Sequence, residues 1–154
     1  MGALLFFFGF FGGMAVLYGV SSYIKNHLQK PRELKEALAL QFRANQKIAK
    51  DFRESLVQYA EQNNAYEHQF TQDTTFKSYI TLLDKTLHSG LSDQSLDRVI
   101  RKNPPADTLR LMAADLSEQC TSLLTAKFYF EQSFLNADVD IQGWAGQANT
   151  GNLS

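Results

Sequence analysis

No charged side chain occurs between Met1 and Ile24, and Leu, Phe, Val, Met, Ala and Gly fill the stretch MGALLFFFGFFGGMAVLYGVSSYI nearly throughout. At about 1.5 Å rise per residue such a run makes a helix of roughly 35 Å, enough to cross a hydrocarbon core about 30 Å thick with some tilt. A cleaved secretory signal has a cationic start and a shorter apolar core, of about 7–15 residues. Here no Lys or Arg precedes the run, so residues 1–24 are expected to stay as a membrane anchor, with cleavage after Ser21 or Ser22 the alternative. Gly9 and Gly13 stand in G-x-x-x-G spacing, and Ala15 and Gly19 repeat the small-residue interval. That spacing lets two helix backbones approach closely in lipid, so these four residues are candidates for helix packing and for homo-oligomer formation.

Orientation follows from the flanks. Lys25, Lys30, Arg32 and Lys35 all follow the apolar run, and only the chain's amino group precedes it. Cationic flanks resist translocation, so the expected topology is single-pass, with the N-terminus outside and the body on the cytoplasmic side. Residues 25–53 hold eight Lys or Arg against three acids, a net +5, which leaves −6 for the rest of the chain. A basic segment beside the bilayer attracts anionic headgroups, at about 1 kcal/mol per nearby cation, so Lys25, Lys30, Arg32 and Lys35 are expected to face membrane lipid.

The body, residues 25–136, has room for one domain. The anchor takes up part of the apolar fraction of 44%, which leaves a comparatively polar body able to build only a slender core. The expected fold is all-α: a transmembrane helix followed by a slender antiparallel helical bundle with two long helices. Pro31 suits the first turn of a helix and disfavours helix at Lys30. From there no Gly or Pro occurs before Gly90, and Leu38, Phe42, Ala49, Phe52, Leu56, Tyr59, Tyr66 and Phe70 recur at helical spacing, with Asn45 and Asn63 on the same seam. A bend is expected at Gln62-Asn63-Asn64. An aromatic seam interrupted by Asn fits an intramolecular bundle better than a coiled coil between copies, which is the alternative route to a homo-oligomer.

Asp73 or Thr74 is expected to cap a second helix through Phe76, Ile80, Leu83 and Leu87, closed by Gly90. Ser92 is expected to cap a short helix with Leu96, Val99 and Ile100 inward, ended by Asn103-Pro104-Pro105. Asp107 then caps a last helix of about 28 residues, with Leu109, Met112, Leu116, Cys120, Leu123, Phe130 and Phe134 inside, long enough to lie beside the first. Residues 137–154, rich in Gly, Asn and Gln, have no helical period and read as a flexible tail. Within it, Ile141 and Trp144 are a candidate docking motif for a protein partner.

The rest of the sequence excludes more than it assigns. His27, His68 and His88 belong to no metal-binding helix pattern, and Asp84 and His88, four apart, suit a surface pair better than a metal site. Cys120 lies on an apolar stripe beside acids, the opposite of what activates a thiolate. No nucleophile elbow, phosphate loop or dinucleotide-binding glycine pattern occurs, so no cofactor, metal or catalysis is expected. A net charge of −1 argues against nucleic-acid binding. The expected function is therefore that of a non-catalytic interaction or accessory subunit of a membrane complex. A short anchor followed by a long helical body is also similar in architecture to the inner-membrane spanins of phage lysis. That resemblance implies a periplasm-bridging coiled coil, a topology the basic flank opposes.

Overall fold

The computed structural model describes residues 30–136. The apolar segment with Gly9, Gly13, Ala15 and Gly19, the flanking Lys25, and the tail with Ile141 and Trp144 lie outside the described residues. Among those described, no helix is long and apolar enough to cross a membrane. They are mostly helical and fall into two compact units, one ending at Leu124 and one beginning at Thr125.

Helix α1 spans Pro31–Asn63. Pro31 takes the first helical position after an extended Lys30, where its missing N–H costs nothing. With no Gly or Pro inside, the helix runs 33 residues, about 50 Å. It stops at Asn64, which adopts a left-handed conformation (φ 50°) and donates its N–H to the Ala60 carbonyl; the N–H of buried Ala65 reaches the same oxygen at 2.9 Å. Asn tolerates that conformation better than other residues with a Cβ, so the expected bend is a full stop.

The stop has a consequence that the periodicity hid. Tyr66 and Phe70 do not extend the α1 seam. Instead β1 (Gln69–Thr71) and β2 (Thr74–Thr75) form a short antiparallel hairpin turning at Gln72-Asp73, and Asn63 is exposed. The next cap is Thr75, one residue beyond the expected pair: its side chain accepts from the Ser78 N–H at 3.2 Å and opens α2, Phe76–His88. The end of α2 also differs. Ser89 closes it in a right-handed conformation, and no described glycine has positive φ, so Gly90 provides no left-handed cap.

Ser92 caps α3, Asp93–Lys102, as expected, with its hydroxyl accepting from the Ser95 N–H. Left-handed Asn103 and the two prolines end it. Ile100 is 38% exposed, so only Leu96 and, in part, Val99 face inward. Helix α4, Ala106–Phe130, begins one residue before Asp107, which lies in the first turn and bonds Arg110 instead of capping.

The contacts give the path of the first unit. Tyr59 stacks on Phe76, Arg53 pairs with Asp84, Arg43 with Asp93 and Lys35 with Asn103, so α2 and α3 both descend along α1. Leu34 and Leu38 then meet Leu109, and Asn45 meets Leu116 and Gln119, so α4 ascends again. Successive arms are antiparallel. The two long helices, being first and third, run in the same direction, because two consecutive helices make the return stroke between them.

Core composition changes along this bundle. Around the start of α1 it is aliphatic, with Leu34, Leu38 and Leu109 buried and Val99, Met112 and Leu116 against them. Around the hairpin it is aromatic, with Phe52, Phe70, Phe76 and Tyr79 meeting at centroid distances of 4.9–6.4 Å. In the second unit the helical path continues through a π-helical turn, Glu131–Leu135; Phe130 stacks on Phe134 at 6.0 Å, and Tyr129 meets it edge-on.

Candidate functional site

Between the two ends of the first unit, α1 carries three buried polar side chains, Gln41, Asn45 and Gln46. A buried amide without partners is costly, so the seam must supply them. Asn45 Nδ2 donates to the Leu116 carbonyl at 2.7 Å and to Gln119 Oε1 at 3.2 Å, while its own oxygen accepts from Gln41 Nε2 at 3.4 Å. On the neighbouring face, Gln46 Nε2 donates to the Leu91 carbonyl at 2.9 Å and to Asp93 Oδ1 at 3.0 Å. Arg43 donates to both Gln46 and Asp93. The Gln46 bond, followed by Arg43, holds the Asp93 carboxyl below its usual range. These groups lock α1 to α4 on one side and to the α2–α3 corner on the other. Asn45 was placed on the seam by spacing alone, whereas Gln41 and Gln46, polar and off the apolar repeat, gave no sign of burial.

Just below this ladder the core is open. Leu38 and Phe42 from α1, Leu96 and Val99 from α3, and Met112 and Leu116 from α4 line a cleft of about 180 Å³, with exposed Asp115 at its edge. That is somewhat more room than the roughly 150 Å³ apolar cavity that accepts benzene in an engineered core. The cleft can take a single large apolar side chain, with the Asp115 carboxylate beside it to meet a donor or a cation.

Of the four basic residues expected to face headgroups, Lys30, Arg32 and Lys35 are described and exposed or partly exposed at the start of α1. Arg32 pairs with Glu36 at 3.4 Å, and Lys35 bonds Asn103, which brings the C-terminal end of α3 beside them. Asp84 and His88 share no carboxylate contact. The carboxylate faces Arg53, and His88 Nδ1–H donates to the Asp84 carbonyl oxygen at 2.7 Å. Cys120 is fully buried, and burial pushes its thiol up to about 11, the setting of a packing residue. Among the described residues no three His, Cys, Asp or Glu side chains gather as metal ligands.

Comparison with protein-family models, with curated proteins and with solved structures finds no match to this chain.

Proposed function

We propose that this chain is a membrane-anchored, non-catalytic interaction protein, an accessory or scaffold subunit of a membrane complex. Residues 1–24 hold it to the bilayer with the N-terminus outside, Lys25, Lys30, Arg32 and Lys35 lie at the headgroups, and the cytoplasmic helical body engages a protein partner. The Gly9, Gly13, Ala15 and Gly19 face serves helix packing within the membrane, and Ile141 and Trp144 provide a second docking element. The observation that supports this reading best is the open apolar cleft between α1, α3 and α4, bordered by the Asp115 carboxylate. Exposed Leu40 and Leu111 add apolar surface on the outer faces of the two long helices.

Protease digestion of intact spheroplasts, with an epitope at the C-terminus, tests the topology. Full-length protection is expected, with the protein resisting carbonate extraction. Digestion from outside overturns it in favour of a periplasm-bridging body of spanin-like architecture, and a shortened soluble product means a cleaved signal. A photo-crosslinking residue in place of Asp115 tests the cleft. A discrete adduct is expected, and it disappears when Met112→Glu puts a charge inside the cleft. An adduct unaffected by Met112→Glu removes the cleft from the binding surface.

A further inference from the structure

Several cations of the first unit have an acidic partner. Arg43 faces Asp93, Lys47 faces Asp51, Arg53 faces Asp84 and Lys77 faces Glu67. At the C-terminal end of α3 the pattern fails: Arg98, Arg101 and Lys102 are exposed, and their side chains make no ion pair or hydrogen bond among the described residues. Spaced at i, i+3 and i+4 they share one helix face. Together with Gln94 and Asp97 they surround an open recess of about 390 Å³. Cations in a last turn favour the helix dipole, which accounts for Arg101 and Lys102 but not for Arg98, a turn earlier.

Their place in the fold gives them a common setting. Lys35 bonds Asn103, and Val99 packs on the Leu34, Leu38 and Leu109 cluster, so the end of α3 sits beside the first turns of α1. Cations some 65 residues apart in sequence therefore meet at one end of the bundle. Lys30, Arg32, Lys35, Arg98, Arg101, Lys102 and Arg110 stand there against Glu33, Glu36, Asp97 and Asp107, a net +3. Only six residues lie between Ile24 and Pro31, and the seven steps across them reach at most about 25 Å when fully extended. With residues 1–24 in a bilayer, this cationic end is the one tethered against the headgroups.

We infer that Arg98, Arg101 and Lys102 form a docking face for anionic phospholipid headgroups, which seats the bundle end-on against the membrane. The inference rests on the anchored reading above and extends it. The anchor fixes where the chain is held, and this face fixes how the body stands. Phosphate oxygens of the headgroups accept from the two guanidinium forks and the ammonium group, with the recess admitting them between the side chains.

The test uses the full chain reconstituted in vesicles that carry a nickel-chelating lipid, with a spin label at Gln94→Cys, an exposed position at the edge of the recess. Buried Cys120 does not compete for the label. In phosphatidylcholine vesicles containing phosphatidylserine the label is expected to relax strongly, and in phosphatidylcholine alone weakly. The triple variant R98Q/R101Q/K102Q loses the difference, with the docked-to-undocked ratio falling about fivefold per cation removed. A label at Gln72→Cys, in the hairpin turn, stays unrelaxed, and the melting temperature of the triple variant stays that of the parent chain. Equal relaxation in the two vesicle types, or an unchanged triple variant in protein that floats with the vesicles and resists carbonate, overturns the docking face and leaves the anchor standing. Release of the protein by carbonate overturns the anchor itself.

Discussion

The hairpin end and the middle of the first unit hold the same long helix in different ways. At the hairpin, Phe52, Leu56 and Ala60 of α1 are fully buried, and Phe52 meets the rings of Phe70 and Tyr79. Half a helix earlier, α1 presents Gln41, Asn45 and Gln46, and the partners are directional: one carbonyl of α4, one at the α2–α3 corner and a carboxylate. Apolar burial is strong but tolerates sliding, since it depends on area more than on direction. Amide hydrogen bonds contribute less net free energy and fix geometry. The aromatic end therefore supplies much of the stability of the unit, and the polar ladder sets the register of three helices on one.

The largest expected effect comes from removing a ring. Phe52→Ala should destabilise by about 3–5 kcal/mol, read from the denaturant midpoint. Amide exchange should rise first over Gln69–Thr75; an equal rise around Leu34 and Leu109 would merge the two regions into one cooperative block. Asn45→Ala follows, at about 1–3 kcal/mol, because the Gln41 and Gln119 amides lose a buried partner. Asn45→Leu sharpens the comparison. If it matches or exceeds the parent in stability while amide exchange at α4 loses uniformity, the ladder specifies register; if it is as unstable as Asn45→Ala, the ladder also stabilises.

Smaller changes follow from single positions. Gly90→Ala should gain about 0.4–1 kcal/mol, because the glycine has no left-handed conformation to protect and an added Cβ meets only the Thr86 carbonyl oxygen, at 3.8 Å. A loss of stability at that site would mean the turn needs glycine after all. The smallest effect is that of pH on Asp93. Its carboxyl is held below the usual range in the fold, so its contribution is present above the unfolded value near 3.8 and is lost as pH falls through the folded one. Urea midpoints taken across that window should drop more for the parent than for Asp93→Asn, and parallel curves would remove Asp93 from the account.

The two regions were also unequally legible in the sequence. Helices whose ends carry side-chain signals were placed to within a residue or two: Pro31 at the start of α1, Ser92 before α3, and Pro104-Pro105 after it. The hairpin was missed because Tyr66 and Phe70 fall four apart and continue the spacing from Tyr59, and because its turn, Gln72-Asp73, contains neither Gly nor Pro. Asn63-Asn64 was a signal for the stop, since Asn can end a helix as glycine does, and Asp73 and Thr74 marked a break but not a hairpin. At the candidate sites, the basic start of α1 was visible as a run of residues. The cations of α3 were counted within an acidic remainder, and only the fold brings them to the opposite account. The cleft was hidden for a simpler reason: Leu38, Phe42, Leu96 and Met112 look like core, and whether core residues meet or leave a gap is a matter of three-dimensional fit.

An odd number of strokes has a mechanical meaning. A bundle of two or four strokes brings its first and last residues together, and a pull between them peels the helices apart a turn at a time. Here the chain enters beside Leu34 and leaves the first unit at Leu124, about 20 Å further along the axis than the level of Leu109. Tension applied between those points loads the α1–α4 seam in shear, with Asn45 and its partners strained together instead of in succession. The first unit is built as a strut.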